Sequence, residues 1–259
     1  MRKRPTPIVG LAVAMATAVV ASAAIAGPTV SGPDGNTQAI DVKLSPKKLS
    51  KSRQTPATLN VTTKTTSTTA ANGVPVPAVE AIVDFDKNTK LFTKGVPTCN
   101  AGKLQNTSTE IALRECGKAK IGGGKATALI PVGAQVFPEP TTVTAFNGVP
   151  QGGKPTVLLH TYGISPVQTV IVLNGVVTNY DKEGYGPRLT IKIPLLAGGT
   201  GALTDFQTSI GKKFNYKGQK RSYVSAECKR SPLKARGKFV FKDGQSLTAF
   251  ATRGCTKKK

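Results

Sequence analysis

The chain has 259 residues, 36 Lys plus Arg against 13 Asp plus Glu, a formal net charge of +23 and an apolar fraction of 39%. That length and apolar content suffice for a sizeable core, as one large domain or two small ones. A single histidine removes any His-rich metal site, and the absence of tryptophan removes the exposed platforms usual in carbohydrate-active enzymes.

The chain opens Met1-Arg2-Lys3-Arg4, continues with an apolar stretch from Ile8 to Val20, and then reaches Ala24-Ile25-Ala26. A basic n-region, an apolar h-region and an A-x-A site, in that order, predict a secretory signal over 1–26 that is cleaved ahead of Gly27. Its strongly apolar part is about a dozen residues, short of the roughly 20 that a spanning helix needs. Removing 1–26 leaves 33 basic against 13 acidic side chains, a net charge of +20. No cysteine lies near the cleavage site and no later segment is apolar enough to span a bilayer, so a soluble mature protein is expected.

In chain order, 27–37 reads as a polar, Gly/Pro-rich flexible lead-in, followed by a single domain over 38–259. Strands are expected at 39–44 and 57–63, with a basic surface segment between them and a Thr/Ala-rich loop after them. From Ala78 the period-two signal is plain: Val79, Ala81, Val83 and Phe85 alternate with Glu80, Ile82, Asp84 and Asp86. The same alternation recurs at 188–193 and 238–242, as one solvated face of an antiparallel sheet requires. Further strands are expected at 125–130, 141–146, 156–162, 167–173, 176–180 and 223–228. Asn147-Gly148, Asn174-Gly175 and Asp243-Gly244 read as hairpin turns, because both residues of such pairs tolerate positive φ. One helix fits, over 107–116, where Thr107 and Glu110 have capping-box spacing. The expected fold is all-β, an antiparallel β-sandwich with one short helix and two disulfides.

Four cysteines, an even number in a chain with an export signal, argue for disulfides. Of the three possible connectivities the sequential one is favoured, Cys99 with Cys116 and Cys228 with Cys255, because each pair lies within one local stretch. Each loop closure is worth about 3 kcal/mol in the chain-entropy model.

No catalytic, metal or cofactor signature emerges. Gly122-Gly123-Gly124-Lys125 lacks the P-loop's first glycine and its closing Ser/Thr, where the chain has Ala119 and Ala126. Asp84, Asp86 and Asn88 form D-x-D-x-N, but an EF-hand needs Gly at 89 and Glu at 95, where Thr89 and Gly95 stand. Their expected role is a strand end with Asx-type turn bonds. His160 is expected as a sheet residue beside Leu158 and Tyr162. An alternative reading, a hydrolase of envelope polysaccharide, would use His160 or the Asp181/Glu183 pair in a Tyr/Gly-rich loop.

Charge carries the most weight. Residues 212–259 hold 15 Lys plus Arg against Glu227 and Asp243, and 47–53 form a smaller basic patch. Lys212, Lys213, Lys217, Lys220, Arg221, Lys229, Arg230, Lys234 and Arg236 are the expected polyanion-binding residues. The partners expected are an anionic cell-wall polymer or lipid head groups, and no nucleic acid, because export removes the chain from a genomic target. A second alternative is a carrier of an apolar ligand between sheets, since Ile82, Phe146, Leu158 and Phe250 lie on strand faces opposite the main apolar set.

Several short patterns occur together: Phe85-Asp86-Lys87-Asn88, Val96-Pro97-Thr98-Cys99, Ala145-Phe146-Asn147-Gly148, Leu158-Leu159-His160 and Arg221-Ser222-Tyr223. With the signal peptide, Leu44-Ser45-Pro46-Lys47 and the terminal Cys255, the mature chain resembles a group of exported, uncharacterised β-rich proteins of high-GC Gram-positive actinobacteria. The resemblance implies an envelope or secreted setting and supplies no activity, ligand or catalytic residue.

Overall fold

The computed structural model describes residues 27–165 and 168–258, so the signal segment 1–26 lies outside the described residues. The first half contains β1 (Thr29–Ser31), β2 (Asn36–Ser45), β3 (Lys48–Ser50), β4 (Thr55–Ser67), β5 (Ala78–Asp86), β6 (Thr89–Leu91), helix α1 (Thr109–Cys116), β7 (Lys120–Val132) and β8 (Gln135–Gln151). The second half contains β9 (Lys154–Gly163), β10 (Thr169–Asn179), β11 (Tyr185–Lys192), β12 (Ala202–Ile210), β13 (Lys213–Tyr216), β14 (Gln219–Ser222), β15 (Val224–Ala226), β16 (Leu233–Phe241), β17 (Ser246–Arg253) and β18 (Thr256–Lys258).

Twelve strands pair in one continuous order, β1-β2-β4-β12-β7-β8-β9-β10-β11-β5-β16-β17, and β15 and β6 join beside β4 to make a fourteen-stranded sheet. All of its neighbours run antiparallel, and β17 packs back against β2. The sheet is therefore a nearly closed, barrel-like wall, and its hydrogen bonding does not divide into the two facing sheets of a sandwich. The all-β antiparallel class, the one α-helix and both sequential disulfides are present.

Alternation along the strands separates the two faces of the wall. Val61, Val83, Phe85, Leu159, Leu173, Ile191 and Ile210 point inward and form the main core. They leave an apolar cavity of about 90 Å³, smaller than the roughly 150 Å³ apolar cavity known to admit benzene. Phe146 and Leu158 point outward and are buried under α1 in a second core with Leu104, Ala112 and the Cys99–Cys116 disulfide. Phe250 also points outward and is 49% exposed.

The helix begins at Thr109, two residues later than the sequence pattern suggests, and its N-cap is Ser108, whose hydroxyl accepts from the Ile111 N–H at 3.3 Å. Thr107 instead donates to the Leu104 carbonyl at 2.8 Å. Residues 27–37, expected as a lead-in, contain β1 and the start of β2, where buried Asn36 exchanges side-chain hydrogen bonds with the backbone of Val76.

Two expected turns are not turns. Asn147-Gly148 and Asn174-Gly175 lie within the continuous strands β8 and β10, and of the three dipeptides only Asp243-Gly244 joins two strands. The reason is close approach. A Cβ on Gly148 would sit 2.2 Å from the Thr156 hydroxyl, and one on Gly175 would sit 2.7 Å from the Leu189 side chain. The Gly122–Gly124 run likewise lies within a strand, β7, and pairs with β12. A Cβ would lie 2.0 Å from the Ser209 carbonyl oxygen at Gly122 and 1.9 Å from that of Gln207 at Gly124. Gly124→Ala must therefore push β7 away from β12. The expected loss is about 1–3 kcal/mol of unfolding free energy, read as a lower urea midpoint at unchanged m-value; an unshifted midpoint refutes the close-approach account.

Candidate anion-binding pole

Because neighbouring strands run antiparallel, the connections collect at two ends of the barrel. At one end, connections 68–77, 133–134 and 193–201 and residues 164, 165 and 168 contain no charged residue. Turns 32–35 and 242–245 add one lysine and two aspartates there. At the other end, segments 46–54, 87–98, 211–232 and 254–257 carry fifteen Lys/Arg and one acid, Glu227, while connections 99–119 and 180–184 add four Lys/Arg balanced by Glu110, Glu115, Asp181 and Glu183. The molecule is thus electrically polar along its axis.

Strand β15 assembles the basic pole. Val224–Ala226 pairs on one side with 55–57 of β4 and on the other with 89–91 of β6, which sets Lys90 opposite Ser225. Beyond it, β18 runs parallel to β3, so that Thr256 faces Lys48 and Lys257 faces Leu49. The Cys228–Cys255 disulfide and a 2.8 Å hydrogen bond from the Cys228 N–H to the Ser50 carbonyl hold the two basic segments of the sequence side by side.

The β13–β14 hairpin is seated on Phe92. Phe214 stacks on Phe92 at a centroid distance of 6.0 Å, and Tyr216 meets it edge-on at 5.5 Å. The Arg221 guanidinium lies 5.3 Å over the Phe92 ring and donates to the Gln219 side chain. Lys217, at the hairpin tip with φ +50, lies 5.7 Å from the Tyr216 ring. Lys213 and Lys220 are exposed.

The nine residues expected from sequence divide in use. Lys213, Lys217, Lys220 and Arg221 occupy the hairpin, and exposed Arg230 follows β15. Lys229 is paired with Glu227 at 2.9 Å. Lys212 donates to the Lys118 carbonyl, and burial pushes its ammonium below the ordinary value. Lys234 and Arg236 belong to β16, on the outer wall, and are engaged there. Arg188, Asp84 and Arg236 stand directly across three neighbouring strands. Asp84 accepts from Arg188 at 2.6 and 3.0 Å and from Arg236 at 2.8 Å, and Arg236 also pairs with Glu183 at 2.6 Å. Burial pushes the Asp84 carboxyl up, but the two guanidiniums outweigh burial and hold it below its ordinary value. Tyr180 lies 3.7 Å from Arg188, while Tyr185 lies 4.6 Å from Arg236 and 4.5 Å from Lys234. Sequence reasoning missed Lys90, Lys94 and Phe92, which reach the pole only because β6 pairs with β15.

The other candidates have local partners. Asp86 accepts from the backbone and side-chain N–H groups of Asn88 at 2.9 and 2.8 Å, the expected Asx geometry, and from the Lys234 N–H at 3.2 Å. Among the described residues no group of three or more His, Cys, Asp or Glu is arranged to hold a metal ion. Asp181 accepts from Asn179 and Glu183 from Arg236, so each carboxylate has its own partner. His160 is 0% exposed beneath α1, with Nε2 2.9 Å from the Thr107 carbonyl and Nδ1 without a hydrogen-bond partner. Burial pushes its pKa below 6.5, outweighing the Thr107 bond, which acts the other way.

Among the described residues no helix is long and apolar enough to cross a membrane, and the two disulfides suit an oxidising compartment. Neither a scan against protein-family models nor searches of curated proteins and of solved structures return a match.

Two outcomes follow from this geometry. Asp84→Asn leaves two guanidiniums without their shared anion, at an expected cost of about 3–5 kcal/mol in unfolding free energy; a loss under 1 kcal/mol, on the order of an exposed pair, refutes the network. His160 binds its proton less readily folded than unfolded, so its contribution is present above pH 6.5 and lost as pH falls. Thermal midpoints measured between pH 7.5 and about 5 should fall less steeply in His160→Gln than in the parent, and parallel curves would exclude the effect.

Proposed function

We propose that the protein is exported and associates, without catalysis, with an anionic polymer of the cell envelope through its basic pole. The observation that carries this reading is the convergence at one end of four segments, far apart in the chain, that hold fifteen Lys/Arg and one acid, while the other connections there balance four Lys/Arg with four acids. Clustered charge of one sign produces a field that attracts polyanions, and salt weakens it as the Debye length contracts. The uncharged connections at the opposite end support end-on association, in which that end faces away from the polymer. The disulfides and the signal-like sequence of 1–26 support an extracytoplasmic setting.

The test replaces Lys47, Lys48, Lys51, Lys213, Lys220 and Arg221 together by Gln and measures retention on isolated cell wall across a salt series. At about 0.2–1 kcal/mol per exposed ionic contact, the expected loss is about tenfold or more near physiological salt, with a shallower salt slope. Retention and slope equal to those of the parent would sink the proposal.

A further inference from the structure

We infer that polyanion binding, as proposed above, is centred on a discrete groove at the β13–β14 hairpin that takes one oxyanion group of a linear polymer; the inference rests on that reading. The groove, of about 460 Å³, lies between the hairpin and the start of β4 and is lined by Pro56, Lys213, Phe214, Asn215, Lys220 and Arg221. Three of these six are cations. Among the described residues none of the three has an acidic partner within 4 Å, whereas Arg188, Lys192, Lys229, Arg236 and Arg253 all do. Like charges held together without a counter-charge repel one another, and a bound oxyanion relieves that repulsion.

The geometry suits an anion. Lys213 pairs with Ser222 and Lys220 with Asn215 across the hairpin, so the two lysines are diagonal neighbours on one face, with Asn215 directly opposite Lys220 as a further donor. Arg221, opposite Phe214 and therefore on the other face of the hairpin, is held over Phe92 and braced by Gln219, and borders the groove with a planar fork whose orientation is set before any ligand arrives. Tyr216 closes over Gly95, where a Cβ would lie 2.4 Å from the ring and where φ is +85, so the seat of the hairpin is fixed from below.

The occupant is a chain, not a bilayer. The site is an open groove, and three exposed large apolar side chains of the kind that enter a membrane, Val132, Ile164 and Leu195, lie at or beside the opposite, nearly uncharged end, against Val149 at the basic end. The ligand class is a linear polyanion whose repeating group is a phosphate ester or a carboxylate.

Two triple variants that remove equal charge separate a groove from diffuse attraction: Lys213→Gln/Lys220→Gln/Arg221→Gln and Lys47→Gln/Lys48→Gln/Lys51→Gln. Binding of full-length mature protein to fluorescent polyphosphate and to polyglutamate is measured at fixed salt, with far-UV circular dichroism as the folding control. The groove triple should weaken binding about tenfold or more, and the other triple about threefold or less. Equal losses overturn the groove and leave the polyanion reading standing, whereas no loss in either triple overturns both. Gly95→Ala, which keeps every charge but displaces Tyr216, should weaken binding several-fold; unchanged binding would show that hairpin geometry is irrelevant and overturn the groove. Tighter binding to phosphatidylglycerol vesicles than to either polymer, at equal anion concentration, overturns the assignment to a chain.

Discussion

The double pairing of β15, with β4 on one side and β6 on the other, is the contact on which the basic pole depends. Three residues of strand join two segments, 55–57 and 89–91, that each lie more than a hundred positions earlier in the chain. Their inward side chains, Val224 and Ala226, are fully buried, so the bridge is anchored in apolar packing and its outward face is free to carry charge. Buried Tyr223 just before it donates to Asn147 of β8 at 3.2 Å, which ties the bridge to the barrel wall. With β15 held this way, the hairpin before it and the disulfide-linked segment after it have little choice of position.

The same residue types serve two ends in this molecule, and acids decide which. On the outer wall Arg188 and Arg236 are saturated by Asp84 and Glu183 and covered by Tyr180 and Tyr185, so they act as cross-strand fasteners. A buried network of this kind is stabilising only when every charge is satisfied. At the hairpin, Arg221 and its neighbouring lysines meet aromatic rings and water, and their charge stays available to a partner. Lys234 and Arg236, equal members of the basic run by sequence, belong to the first group because β16 pairs with β5 and its Asp84.

Glycine placement gives the wall its shape. Gly122, Gly124, Gly148 and Gly175 sit inside strands, where a neighbouring backbone or side chain occupies the place of a Cβ. These are sites of close approach, and they let a long sheet curl until β17 meets β2. The outward-facing Phe146 and Leu158 belong to the same design, since the curled wall receives the disulfide-tethered α1 on its outside.

Local pattern alone was sufficient for the β class, the period-two faces of β5, β11 and β16, the short helix and the sequential disulfides, because each depends on residues near one another in the chain. It misled at Asn147-Gly148 and Asn174-Gly175, where the dipeptide suits a turn equally well and only a crowding neighbour strand reveals why glycine is needed. The concentration of charge in 212–259 was equally plain from composition. Which cations are neutralised, that Lys47–Arg53 adjoins Lys257, and that the far end bears almost no charge were decided by strand pairing between distant segments. Such pairing is a property of the closed sheet, whose register no short stretch of sequence contains.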